Sequence, residues 1–146
     1  MMKWIKKLVS SGNMITGIDH VAIVVSDMDR SIEFYNEVLG LRILKDGRNE
    51  GGKKKSFLGT KDHTLIALTE DKTLNSDKSQ IVESVAHVAF KVDEVEKASK
   101  ALKSKGVKFI EEKVEKDGKI KAYHFLDPDG LELEIYGETG ESVPPY

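Results

Sequence analysis

The sequence predicts an α+β fold of two βαβββ modules whose strands form a curved, mixed sheet around a cleft. Three observations predict it. The stretch His20-Val21-Ala22-Ile23-Val24-Val25 recurs 67 residues later as His87-Val88-Ala89-Phe90-Lys91-Val92. Each copy is followed by apolar residues at helical spacing and then by further strand-like runs. A repeat of this length cannot bury its own sheet, so two copies must be placed side by side, within or between chains.

Composition narrows the function classes. A chain of 146 residues, 39% hydrophobic and 33% charged, is long enough for one domain or two small modules sharing a core. A net charge of -2, with no basic stripe interleaved with aromatics, gives no reason to expect nucleic acid. No apolar run approaches the length of a membrane span, and a cytoplasmic location is expected. Without cysteine there is neither a disulfide framework nor a thiolate ligand. Any metal must therefore be held by His, Asp or Glu, which suits Mn, Fe, Ni, Co or Zn.

The elements follow in order. Residues 1–16 read as an N-terminal extension, with a short amphipathic leader helix from Met1 to Met14. Module 1 spans 17–70. Ile18 to Val25 is a β-branched strand, apolar on both faces and so expected to be covered on both sides. Ser26 or Asp27 can cap the helix that carries Met28, Ile32, Tyr35 and Leu39, and Gly40 stops it. Leu41 to Leu44 is a strand, the glycine-rich Asp46 to Lys55 a loop or mobile hairpin, and Ser56 to Leu58 with Thr64 to Thr69 complete the module. Glu70 to Ser84 is the polar connection.

Module 2 spans 84–137. Val85 to Val92 is its first strand, Asp93 with Glu96 forms a capping-box pattern, and Val95, Ala98 and Leu102 make a helical face ending at Gly106. Val107 to Val114 and Lys119 to Leu126 are strands. Asp127-Pro128-Asp129-Gly130 is a turn, and Leu131 to Tyr136 is the last strand. The tail, 138–146, is expected to be irregular. The copies align further: Leu39-Gly40-Leu41-Arg42-Ile43 with Lys105-Gly106-Val107-Lys108-Phe109, and Phe57-Leu58 with Phe125-Leu126.

Alternation on the last strand turns Leu131, Leu133 and Ile135 to the core. Glu132, Glu134 and Tyr136 turn toward the concave face, where His20 and His87 are also expected. One of these glutamates is a natural third member of a His-His-carboxylate set, which leaves coordination positions open for water or substrate.

At this point the chain resembles the vicinal oxygen chelate superfamily, which includes glyoxalase I, fosfomycin-resistance enzymes, extradiol dioxygenases and bleomycin-resistance proteins. The resemblance rests on the two modules, Asp19-His20, Ala86-His87, Ser31-Ile32-Glu33-Phe34-Tyr35, Leu39-Gly40-Leu41 and Asp127-Pro128-Asp129-Gly130-Leu131-Glu132-Leu133-Glu134, and covers Ile18 to Tyr136. It implies a glyoxalase-like fold with metal ligands His20, His87 and Glu134. The position 67 residues before Glu134 is Ala67. Glyoxalase I-like members place a fourth ligand there, and alanine has no donor atom, so the resemblance points to three-ligand relatives. The fosfomycin-resistance branch fits the closing stretch best. Yet Ala22 stands where that branch tends to offer a threonine, and no arginine follows Glu134; Lys91, Lys119 and Lys121 are the remaining cations.

The expected function is a metal-dependent lyase, thiol transferase or dioxygenase. A divalent ion would act as Lewis acid toward adjacent oxygens of a small, oxygen-rich substrate, and Fe(II) in the same set would permit O2 activation. The alternative is a non-catalytic, bleomycin-resistance-like protein that binds a small molecule in the cleft. Tyr136 either donates a proton to substrate or packs at the strand end. His124 either acts as a second-sphere acid or base or holds an ordinary strand position facing away from Phe125. Glu132 reads as solvated or paired with a lysine, His63 as a turn residue without a role, and Lys53-Lys54-Lys55 as a solvated hairpin. A homodimer is expected because each module leaves sheet edges and an open face. In a swapped dimer His20 of one subunit would meet His87 and Glu134 of the other.

Overall fold

A computed structural model describes residues 14–74, 85–114 and 118–137. The leader before Met14, most of the polar connection before Val85 and the tail from 138 lie outside the described residues.

Both modules have the same topology. In the first, β1 (Val21–Val25) pairs in parallel with β4 (His63–Glu70), and β3 (Lys55–Thr60) and β2 (Arg42–Lys45) follow antiparallel, giving the order β1-β4-β3-β2. The second repeats this with β5 (Val88–Val92), β6 (Glu111–Val114), β7 (Ile120–Leu126) and β8 (Glu132–Gly137) in the order β5-β8-β7-β6. The result is two four-stranded mixed sheets, not one continuous sheet. β1 and β5 are outer strands of their sheets, and each is joined in parallel to the last strand of its module.

The crossover in module 1 is α1 (Met28–Ile32), which runs on as a π-helical stretch, Glu33–Val38. Of the two expected caps it is Asp27 that accepts the Arg30 backbone N–H, at 3.1 Å. Gly40 follows at φ 78, a conformation an L side chain resists. In module 2 the crossover is α2 (Val95–Ser104). The Asp93–Glu96 capping box does not form. The N-cap is Glu94, without a side-chain cap, and the Glu96 carboxylate instead accepts the Tyr123 hydroxyl at 2.9 Å, tying the helix to β7.

Several strand starts differ from the sequence reading. β1 and β5 begin at Val21 and Val88, one residue after the histidines, and β6 begins at Glu111 instead of Val107. β1 is not covered on both faces: Ile23 and Val25 are buried, but Ala22 and Val24 are exposed, Val24 by 42%. The internal alignment shifts as well. Leu58 pairs with Ile66 and Phe125 with Leu133, and all four side chains are buried. Phe125 is therefore the counterpart of Leu58, and the counterpart of Phe57 is His124.

One core serves both modules. Val25, Met28, Ile32, Tyr35, Leu58, Ile66 and Leu68 from the first join Tyr123, Phe125, Leu133 and Ile135 from the second. At the seam the Phe34 and Phe125 rings stand 6.4 Å apart. Beside them the Tyr35 hydroxyl donates to Asp127 Oδ2 at 2.8 Å, while Asp127 Oδ1 accepts the backbone N–H groups of Asp129 and Leu131. Asp129 in turn accepts from the Ser26 backbone and from Arg30. The Asp-Pro-Asp-Gly turn is thus a latch between α1 and the second sheet. Burial pushes the Asp127 carboxyl above its usual range, and burial together with the Asp127 charge drives the Tyr35 hydroxyl far up.

Candidate metal centre

Register decides which side chains meet. In the parallel pair β5–β8, Ala89 lies opposite Glu134; in the antiparallel pair β7–β8, His124 lies opposite Glu134. His87, two residues before Ala89, shares its face. His87, His124 and Glu134 therefore project from one face of the second sheet, opposite the side where Phe125 and Leu133 enter the core.

The three converge. Glu134 Oε2 lies 2.8 Å from His124 Nε2 and 3.4 Å from His87 Nε2. The two imidazole centroids are 5.2 Å apart, with the rings at 82°. Glu134 is 1% exposed and His124 3% exposed, while the His87 side chain is about a third exposed. Glu132, on the same face, stands behind the rings, with carboxylate oxygens 3.9 Å from His87 Nδ1 and 3.8 Å from His124 Nδ1. It stands beside imidazoles and keeps about a quarter of its side chain exposed, so the solvated expectation holds in part, while its ion-pair partners among the described residues are histidines and not a lysine.

His20 stands apart. Its side chain is 46% exposed, and it belongs to neither group of converging donors among the described residues, which are His87–His124–Glu134 and Glu111–His124–Glu132. Its Nδ1 contacts Asp19 Oδ1 at 2.7 Å, a contact that holds the Asp19 carboxyl below its usual range. That pairing occupies Nδ1 and leaves Nε2 as the other ring nitrogen, the kind of carboxylate contact that orients metal-binding imidazoles. His63, which had no expected role, reaches the Asp19 carbonyl through Nε2 at 2.9 Å. His20 and His87 both border a largely apolar cleft of about 1000 Å³ between the modules. Tyr136 sits half-buried on the Glu134 face, opposite Ala122.

The donor set fits a divalent ion. It offers imidazole nitrogens and one carboxylate with no thiolate, and a buried carboxylate is costly without a compensating charge. His124 is the member that the sequence offered as a second-sphere acid or base or as an ordinary strand position, and not as part of the donor set. The signal was present in the turn, because a hairpin closing over Asp127–Gly130 puts position 124 opposite 134.

A family model described as the Glyoxalase/Bleomycin resistance protein/Dioxygenase superfamily matches residues 17–135. The chain belongs to that superfamily. Among its similar proteins is a metallothiol transferase FosB of Staphylococcus epidermidis, 32% identical over 127 residues, covering 86% of this chain and 84% of the relative. A lactoylglutathione lyase of Haemophilus influenzae is 34% identical over 120 residues, covering 80% and 88%. Among solved structures, a glyoxalase family protein from Enterococcus faecalis superposes with a TM-score of 0.69 at 28% identity, covering 85% of this chain and 99% of that one. The two-module architecture described above is the frame of these donors, with Glu134 and His124 buried on the second sheet and His87 part-exposed beside them.

Proposed function

We propose that the chain is a metal-dependent enzyme that chelates adjacent oxygens of a small substrate on a divalent ion held by His20, His87 and Glu134. The observation that carries this reading is Glu134, a carboxylate 1% exposed that lies against the Nε2 atoms of imidazoles. A carboxylate placed there without a cation is a liability; with one it is a ligand. When bound, the ion supplies Lewis acidity toward substrate oxygens. The protein's own contribution is to fix the donors. β8 presents Glu134 from a packed strand, Asp19 orients His20, and Glu132 backs the imidazoles.

Two reactions are named among the similar proteins, thiol transfer and the lactoylglutathione lyase reaction. Ala67 favours the first, since the four-ligand pattern of the lyases needs a donor at that position; dioxygenase chemistry has no supporting residue beyond the shared donor set. A homodimer belongs to the same proposal. β1 leaves Ala22 and Val24 open beside His20, and a second copy covering that face would bring its own His87 and Glu134 toward His20. So does a cytoplasmic location; no helix among the described residues is long and apolar enough to cross a membrane.

Elemental analysis of untagged protein tests the reading, paired with thermal melts in Mn, Fe, Ni, Co or Zn. Stoichiometric metal and a raised melting temperature are expected, both lost in His87→Ala. Absence of metal with no stabilisation by any of these ions would sink the enzyme reading and leave a binding protein.

A further inference from the structure

We propose that His124 is itself a metal ligand, making good the donor missing at Ala67. The inference rests on the metal-dependent reading above and adds a residue to it. Phe57 pairs with Ala67 across β3 and β4, as His124 pairs with Glu134 across β7 and β8, and both pairs are related by the 67-residue spacing that links His20 to His87. Module 1 carries an apolar pair at these positions. Module 2 carries two donors. The strand position alone does not call for histidine, because its counterpart is a phenylalanine.

His124 is also a poor fit for an ordinary core histidine. It is 3% exposed, and neither ring nitrogen makes a hydrogen bond among the described residues. Leaving buried polar atoms unsatisfied costs about 1–3 kcal/mol each. Its Nε2 comes within 2.8 Å of Glu134 Oε2 without the N–H alignment of a hydrogen bond. Ligands about 2.1 Å from one ion, at angles of roughly 90–109°, stand about 3.0–3.4 Å from each other. The His87 Nε2 to Glu134 Oε2 distance of 3.4 Å lies in that interval, and the His124 contact lies slightly inside it.

Both imidazoles approach the same carboxylate oxygen, Oε2. This is the arrangement of groups directed at a common ion. A proton-transfer role for His124 would instead need an opening to substrate, and its side chain is closed off. With His20 the set becomes three imidazoles and one carboxylate. Such a set leans toward Zn, Ni or Co and away from Mn, which prefers carboxylate and water. A six-coordinate ion would keep two positions for substrate.

The test uses the full-length, metal-depleted protein and measures Zn and Ni affinity by competition with a chromogenic chelator. Pulsed EPR of the Cu(II)-loaded protein counts coordinated imidazoles. His124→Phe, which installs the residue module 1 carries, is expected to lower Zn affinity by about 100-fold or more, since even second-sphere changes cost about 10–100-fold. It should lower Mn affinity less and remove one imidazole from the count. Adding Ala67→Glu to that variant should recover part of the loss. His124→Gln serves if the phenylalanine variant fails to fold, and melts in chelator establish folding. Unchanged affinity and imidazole count in a folded His124 variant would overturn the proposal. If His87→Ala weakens binding while His124 variants do not, the metal reading stands and this inference alone falls. If the wild type binds no metal, both fall.

Discussion

Replacing Glu134 with glutamine should leave the metal-free protein nearly as stable as before and abolish its response to metal. Glutamine keeps the volume of a side chain that is 1% exposed and keeps one acceptor oxygen, but it removes a negative charge from beside two imidazoles. In chelator the two proteins are expected to differ by no more than about 1 kcal/mol, because loss of the charge interaction is offset by relief of charge burial. At metal 100-fold above its dissociation constant the wild type gains about 2.7 kcal/mol. For a chain of this size about 2–4 °C of melting temperature corresponds to each kcal/mol, so the wild type should melt roughly 5–11 °C higher. A neutral amide that weakens binding about 100-fold leaves a gain of only about 0.4 kcal/mol, or about 1 °C. Scanning calorimetry of both proteins, in chelator and in Zn or Ni, reads all four values. A wild-type shift in Glu134→Gln would refute the ligand assignment. A loss of several kcal/mol in chelator would show that the carboxylate is held by protein groups alone.

The latch between the modules gives two further expectations. Tyr35→Phe removes the donor to Asp127 Oδ2 at 2.8 Å in a buried setting and should cost about 1–3 kcal/mol, measured by denaturant titration, with metal affinity unchanged. Asp127 has a folded-state carboxyl pushed above its ordinary value by burial, so the native state holds that proton more tightly than the unfolded chain. Its contribution to stability therefore rises as pH falls through the folded value toward 3.8 and is lost as pH rises through that window. Subtracting the pH profile of Asp127→Asn from that of the wild type should isolate this slope; a difference that grows with pH would contradict it.

Much of the fold was legible because it is written twice. The 67-residue repeat, the β-branched strands, Gly40 and Gly106 after their helices and the Asp-Pro-Asp-Gly turn each state local geometry in residues with few alternatives. The strand ends were less legible, since Ile18 and Val107 have the composition of strands but lie outside the ladders. The capping box at Asp93 failed for a tertiary reason: Tyr123, 27 residues on, claims the Glu96 carboxylate. The place of His124 opposite Glu134 was hidden by a one-residue error. Matching Phe57 to Phe125 by type set a part-buried residue against a core residue and passed over the register, and a slip of one position exchanges the two faces of a strand.

The same register exposes an asymmetry that bears on how the centre works. Three donors, His87, His124 and Glu134, sit on the second sheet, which packs on the core through Phe125, Leu133 and Ile135. His20 alone stands on the first, at the start of an outer strand with one face open. If all four are ligands, a set divided three to one would permit the ion to be held by one module and His20 to arrive with a covering surface. Assembly would then tighten an existing site instead of creating one. Binding in His20→Ala should accordingly persist at reduced affinity, whereas His87→Ala, on the module that holds the majority of donors, should lose far more. Equal losses in the two variants would instead mean that neither module binds the ion without the other.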